Sequence, residues 1–366
     1  MDIRTITYHG SHNYGAMLQA HALCKYLSDK GHNVKIIDYM SDADIRSNSV
    51  LKKGHDVRTI VKNIYNFRYW GALKCRYQRF EAFKKEYMML TEQYSKASMK
   101  NYVENVDLYI AGSDQIWNCM NHVEELFFLD FNTGKARRVS YAASIGISEI
   151  PQNRREKVGS LLKKFDLISV REQEAQSILE RQFGIASTVV CDPVLLLEKD
   201  YWGQLAGNKP IISEKYILCY CLGNIQETNE CLNRLRNKWK LPIVLLSGSG
   251  YTKIVHDKVI RDAGPLQFLN LIRYAEIVVC SSFHGTVFST IFSKNFTSVI
   301  DKVKPSRVKE YLNRIGLNDC IYSDETKIEE NINYEPVNKK MEKYIENSIE
   351  FLNKEVLGEG ANETIN

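Results

Sequence analysis

The sequence predicts an α/β protein with two Rossmann-like lobes around a cleft, and three observations carry that reading. The first forty residues form a strand-helix-strand unit, short apolar runs recur with polar turns after them, and the same plan restarts near residue 215. In the first unit residues 4–8 read as a strand, 9–14 as a polar loop and 15–29 as a helix. That helix carries Leu18, Ala22, Leu23, Tyr26 and Leu27 at helical spacing. Gly31 is a natural stop, and residues 34–39 form the next strand. A β-α-β crossover of this kind implies a parallel sheet, with ligands received at the carboxyl ends of its strands.

A basic, helical stretch over 52–100 follows, and then a strand over 106–111 ending in the polar run 112–118. Further on come a strand and turn at 138–144, a helix at 153–164, a short strand at 167–171 and a helix from Glu172 to about 183. Residues 189–194 close this half, because Pro193 cannot continue a central ladder. The second half has strands at 215–221, 243–246, 277–280 and 296–300, with helices at 227–239, from Pro265 to 274, and after residue 282. The polar segment 318–338 reads as a connection, and a helix over 339–354 is expected to pack back across the chain. This divides the chain into a first lobe, 1–198, with the basic insertion 52–100; a second lobe, 199–338; and a C-terminal helix and tail, 339–366.

Composition narrows the classes of function. The 366 residues are 44% hydrophobic and 25% charged with only 7 Pro, which suits a folded, water-soluble protein. No apolar run reaches the length of a membrane span, and the N-terminus goes straight into strand-like sequence without signal-peptide architecture. Nine scattered Cys, an odd number without paired CxxC knuckles, argue for reduced thiols in the cytoplasm and against a metal site. The net charge of +5 is concentrated in 52–100, where twelve basic residues face four acidic ones and nine aromatics are interleaved. That segment is either a solvated basic helix pair with its aromatic stripe on the core, or a docking surface for an anionic membrane or substrate. No nucleic-acid module accompanies it, so nucleic acid is not an expected partner.

Four polar turns sit at strand ends. Ser281-Ser282-Phe283-His284-Gly285-Thr286 follows an apolar strand and opens a helix, where unpaired amides can receive a phosphate or carboxylate. The plainer possibility is that Ser282 caps the helix while His284 fills a polar niche. His9-Gly10-Ser11-His12-Asn13-Tyr14-Gly15 joins the first strand to the first helix; it is not GxGxxG, although Asp38 ends the second strand where a dinucleotide site would want an acid. Gly112-Ser113-Asp114-Gln115 offers either a cap or a general base. Arg171 stands between strand and helix, available for bidentate contact with an anion or for an ion pair with Glu172, Glu174 or another acid.

Taken together, Ser11 to Ala20, Gly112 to Asn118, Ile168 to Glu172, Cys191-Asp192-Pro193-Val194 and Ser281 to Thr286 occur in an order that resembles the polysaccharide pyruvyl transferase family, over about residues 3–316. The resemblance implies a GT-B-like arrangement of the two lobes with the active site in the interlobe cleft. It also implies transfer of pyruvyl from phosphoenolpyruvate to sugar hydroxyls as a cyclic ketal, in bacterial cell-surface polysaccharide synthesis such as capsule or exopolysaccharide. His284 matches the histidine of the family's His-Gly turn and Arg171 the arginine after its Ser-Val strand, both implicated in handling the donor. Some members carry an arginine two residues before that histidine, where this chain has Ser282; Arg171 or Arg307 then has to supply the anion contact. On this reading His284 and Asp114 are catalytic, and Arg171, Ser281, Ser282, Gly285, Thr286 and Arg307 bind the donor. His12, Asn13, Gly15, Ser113 and Gln115 line the acceptor side of the cleft. No cofactor or metal is expected beyond the phosphoenolpyruvate substrate. The implied partner is a lipid-linked glycan, reached from the cytoplasmic face of the membrane. Two alternatives are a nucleotide-sugar-dependent glycosyltransferase on the same plan and a glycan-binding protein without catalysis.

Overall fold

A computed structural model describes residues 1–41, 48, 57–249, 252–300, 307–323, 326 and 331–359, with backbone alone for 57, 58, 60–62 and 65. The first lobe runs β1 (Asp2–Ile6), α1 (Tyr14–Asp29), β2 (Asn33–Tyr39), α2 (Val57–Arg68), α3 (Trp70–Tyr87), β3 (Leu90–Tyr94), β4 (Leu108–Ala111) and β5 (Arg137–Ser140). Its sheet has the order β3-β2-β1-β4-β5 with every pair parallel. It continues through α4 (Gln152–Leu162), β6 (Ser169–Val170), α5 (Gln173–Phe183) and β7 (Thr188–Val189). The β6–β7 pair joins β5 by single bridges, Val139 to Leu167 and Ala143 to Val170.

The second lobe comprises α6 (Lys199–Ala206), β8 (Ile217–Tyr220), α7 (Ile225–Trp239), β9 (Ile243–Leu246), β10 (Lys258–Ile260), α8 (Pro265–Tyr274), β11 (Ile277–Cys280), α9 (Phe283–Ile291), β12 (Asn295–Ser298) and α10 (Arg307–Ile315). Its parallel order, β10-β9-β8-β11-β12, repeats that of the first lobe. Strands β4, β8, β9 and β11 are buried on both faces, which is why they read as unbroken apolar runs. The edge strands, β3 largely polar and β10 only three residues long, are partly covered, and the sequence does not announce them. Helices α6 and α10 are likewise additions to the sequence reading, and β1 ends at Ile6 rather than residue 8.

The lobes meet over α1, which is buried on nearly all sides. Tyr14 stacks on Phe268 of α8, 4.7 Å between centroids and 4° from parallel, and its hydroxyl donates to Ala263 O at 3.0 Å. Arg79 of α3 adds an ion pair to Asp262 at 2.8 Å. One continuous apolar core therefore runs from Ile3 and Leu18 through Phe268 and Phe288. Within the basic segment the aromatics divide: Phe80 and Phe83 are buried, whereas Phe67, Trp70 and Tyr77 face outward. The basic residues Lys52 and Lys53 lie outside the described residues.

The last helix, α11 (Tyr334–Phe351), begins five residues earlier than its apolar pattern suggests, because Asn333 caps it through Glu335 N at 3.1 Å. It starts against β12, where Ile332 N donates to Asn295 Oδ1, and ends on the first lobe. There Tyr344 donates to Val190 O, Ser348 Oγ accepts from Cys191 N, and Arg137 donates to Val356 O, all at 2.9 Å.

Candidate active site

The turn after β11 is built largely by its own side chains. Ser282 Oγ accepts from Gly285 N at 3.0 Å and caps α9, so the capping possibility holds. Ser281 Oγ accepts from Leu222 N at 2.7 Å and ties this turn to the loop after β8. Thr286 is fully buried, its hydroxyl bonded to Ser282 O at 3.1 Å and Ser298 Oγ at 2.9 Å. Gly285 is closely packed: a Cβ there would stand 3.2 Å from Cys280 Cβ and 3.4 Å from the Tyr220 ring. The side chains of Ser281, Ser282 and Thr286 are thus spent on shaping the turn, and Gly285 lets it pack closely.

His284 is 7% exposed and is clamped from both lobes. Its Nε2 lies 3.3 Å from Asp192 Oδ2, an ion-pair distance without hydrogen-bond alignment. Its Nδ1 edge meets Gly15 at the start of α1, where any Cβ would collide with the ring. The glycine at position 15 is therefore a condition for this placement of His284.

Asp192 organises the niche, yet it was absent from the expected site residues. Its Oδ1 accepts from Val194 N at 3.1 Å; its Oδ2 accepts from Arg171 Nη1 at 2.5 Å and Ser113 Oγ at 3.1 Å. Burial alone would raise its pKa, but His284 and Arg171 together hold it well below the usual carboxylate range. The Cys-Asp-Pro-Val run was its only signal, and from the sequence alone it read as a strand terminus.

Arg171 is fully buried and lies over the Phe283 ring at 4.4 Å. The ion pair expected as its plainer role exists, but mainly with Asp192; Glu172 is 3.8 Å from Nε. Its Nη2 is 3.7 Å from Asp114 Oδ1, and neither Nη2 nor Nε has a hydrogen-bond partner. Burial opposes its charge, and the surrounding Asp192, Glu172 and Asp114 more than restore it. Arg307, at the start of α10, brings its Nη1 to 3.8 Å from the same Asp114 oxygen and lies 5.9 Å from Phe283. Burial and then repulsion from Arg171 lower its pKa.

Asp114 thus stands between two guanidinium groups. It is held in left-handed backbone, φ 73°, and its Oδ1 also accepts from Gln115 N at 2.9 Å. A non-glycine residue there costs about 1–2 kcal/mol. Ala142, on the neighbouring strand end, is also left-handed at φ 56°, and Ala143 bridges to Asp114. Glu172 Oε1 accepts from Ser144 Oγ at 2.6 Å and Ile145 N at 3.1 Å, while its Oε2 is buried without a hydrogen-bond partner. Free space beside Arg171, Phe283 and Arg307 is about 10 Å³, room for one water-sized group.

The remaining expected residues lie elsewhere. Ser113 belongs to the niche, but the Gln115 amide packs on Gly146. His12 and Asn13 line a separate cavity of about 600 Å³ between the start of α1 and the loops after β8 and β9. There His12 stacks on Phe80 at 4.9 Å with Nε2 3.2 Å from Glu81, and Asn13 caps α1 through Gly15 N at 3.0 Å. Asp38 is engaged by His9 at 2.9 Å and Lys84 at 3.0 Å, which takes away the acid a dinucleotide ribose would need. Among the described residues no three His, Cys, Asp or Glu are placed to hold a metal ion, and no helix is long and apolar enough to cross a membrane.

Two like-ordered Rossmann-type lobes with their polar groups gathered between them define a GT-B-like protein. The chain belongs to the polysaccharide pyruvyl transferase family, whose model matches residues 13–301, and the family makes it a transferase. Its fold is similar to that of a putative UDP-N-acetylglucosamine 2-epimerase from Listeria monocytogenes, with TM-score 0.52, 10% identity, and 100% of this chain and 99% of that one covered. It is also similar to the UDP-GlcNAc 2-epimerase of Methanocaldococcus jannaschii, with TM-score 0.50, 13% identity, and 94% and 93% covered. At such identities the likeness is one of fold alone. A search of curated proteins finds no match.

Proposed function

We propose that this transferase moves a pyruvyl group from phosphoenolpyruvate to hydroxyls of a lipid-linked glycan precursor, forming a cyclic ketal in bacterial cell-surface polysaccharide synthesis. The observation that supports it is the convergence of Arg171 and Arg307 on Asp114, at 3.7 and 3.8 Å, with two buried Arg171 nitrogens that make no hydrogen bond. Two guanidinium groups suit a small donor carrying both a carboxylate and a phosphate. Arg307 offers the second of them in a chain where Ser282 is occupied as a helix cap.

In this reading the donor enters as Arg307, the more exposed of the pair, swings outward, since the enclosed niche is too small for it. The bound anion competes with Asp114 for both arginines, and Asp114, relieved of them, becomes the better acceptor for a hydroxyl proton. His284, held with its Nε2 3.3 Å from Asp192 Oδ2, supplies a proton to the donor methylene carbon. Protonation develops positive charge on the adjacent carbon, a sugar hydroxyl adds there, and the carbon–oxygen bond to phosphate breaks. A second hydroxyl then closes the ketal, its proton leaving with the released phosphate.

The test incubates purified protein with phosphoenolpyruvate and a panel of lipid-linked and nitrophenyl glycosides, reading phosphate release and a product mass shift. His284→Ala is expected to lower the rate by roughly two to four orders of magnitude. Undiminished release in that variant, or no release with any acceptor, overturns the assignment. Preferential thermal stabilisation by a nucleotide sugar would favour the glycosyltransferase alternative; acceptor binding without turnover of either donor would favour the non-catalytic one. Exposed Phe67, Trp70 and Ile64 beside Arg68 and Lys74 suit peripheral contact with anionic lipid at the cytoplasmic face. Salt-insensitive or absent liposome co-sedimentation would remove that contact.

A further inference from the structure

The 600 Å³ cavity beside α1 has a charge pattern unlike that of the niche. Among the described residues its charged lining groups are Arg76 and Lys253, with no carboxylate among them. Glu81 pairs with His12 at 3.2 Å and is not itself a lining residue. Arg76 is a built feature: its guanidinium lies over Phe80 at 4.5 Å and Tyr14 at 5.3 Å, and Nη2 donates to His12 O at 2.7 Å. Its Nε is buried with no hydrogen-bond partner. Gly248, in the loop after β9, packs directly on Arg76, so closely that a Cβ there would stand 3.2 Å from both Nε and Cζ. Ser247 and Thr252 add hydroxyls on the same wall. A neutral sugar gives no reason for two cations without a counter-charge; a phosphoryl group does.

The cavity also abuts the reacting groups. Asn13 and Tyr14 line it and Gly15, next in the chain, touches His284; Tyr220 lines it and touches Gly285. We infer that this cavity receives a phosphate or diphosphate carried by the acceptor, so that the glycan is pyruvylated as a glycosyl phosphate rather than as a free sugar. That the phosphate belongs to an acceptor rests on the pyruvyl-transfer reading; that the cavity takes a phosphoryl group rests on Arg76 and Lys253.

The experiment titrates inorganic pyrophosphate, phosphoenolpyruvate and UDP calorimetrically into the full-length protein and three variants, each first checked for an unchanged melting temperature. Lys253→Glu alters an exposed side chain, Arg76→Met keeps the packing on Phe80, and Arg307→Gln disarms the donor niche. Pyrophosphate affinity is expected to fall roughly tenfold or more in Lys253→Glu and Arg76→Met and to hold within about twofold in Arg307→Gln. Phosphoenolpyruvate should show the reverse dependence. No pyrophosphate binding, or binding lost in Arg307→Gln and untouched in Lys253→Glu, overturns the inference. UDP binding more than about tenfold tighter than pyrophosphate overturns the acceptor assignment in favour of a nucleotide subsite. Should phosphoenolpyruvate bind nowhere while pyrophosphate keeps its Lys253 dependence, phosphoryl recognition stands and the donor reading is what fails.

Discussion

The niche around Arg171 and the cavity around Arg76 lie on either side of Gly15, and they handle charge in opposite ways. In the niche two arginines and a histidine are closed in with Asp114, Glu172 and Asp192, and about 10 Å³ is left free. In the cavity two cations face about 600 Å³ of open space with no acid among the described lining residues. Paired buried charges hold a fixed geometry and must be parted before a ligand can enter, whereas unpaired cations attract one from a distance. The difference suits a small donor that is enclosed during chemistry and a large acceptor that enters and leaves.

Removing the niche's central counter-charge is the strongest way to break this contrast. Asp192→Ala leaves Arg171 buried beside His284 without its main partner and should cost about 3–5 kcal/mol by urea unfolding. Lys253→Glu at the cavity should change stability by less than about 0.5 kcal/mol. Equal losses in the two variants would mean that the regions do not differ in kind.

Next in size is the wall behind both regions, where His21 of α1 bonds Tyr87 O at 2.8 Å and Tyr201 at 2.5 Å. Burial lowers its pKa to about 4 from 6.5. Between those values the unfolded chain binds the proton and the folded one does not, so stability falls as pH drops through this window, by at most about 3 kcal/mol. His21→Gln should flatten that part of the stability curve in urea titrations from pH 7 to 4, and an unchanged slope would assign the acid sensitivity to other groups.

Gly15→Ala tests the hinge of the comparison. The new methyl collides with His284, and phosphate release should fall on the order of a hundredfold while far-ultraviolet circular dichroism is retained. A fully active variant would show that His284 does not work from this position. The smallest effect is expected at Ser282→Ala, which removes a helix cap worth about 1 kcal/mol and should leave phosphoenolpyruvate affinity within about twofold. A large affinity loss there would return Ser282 to the donor site.

The β-α-β opening and the strands β8, β9 and β11 were legible because a strand buried on both faces must be apolar throughout. Helix α10 carried its signal too, with Val308, Tyr311, Leu312 and Ile315 at helical spacing, but the polar residues around it hid the pattern. Asp114, Arg171 and His284 could be singled out by residue type and place, and Arg307 only through the family resemblance; the structure brings these four into one niche. Asp192 could not be weighted in the same way, because its importance comes from partners 21 and 92 residues away in the chain. Ser281, Ser282 and Thr286 present the opposite problem: a hydroxyl that caps a helix and one that awaits a ligand are the same letter in a sequence.

Helix α11 has a mechanical consequence. The chain passes from the first lobe to the second after residue 198 and returns along α11 to rest on Val190 and Cys191. Two bodies tied at one point can swivel freely; tied at two separated points, they keep one easy rotation, about the line through both ties. Any parting of His284 from Gly15 would therefore have to keep both crossings of the chain intact, with the returning helix as the second.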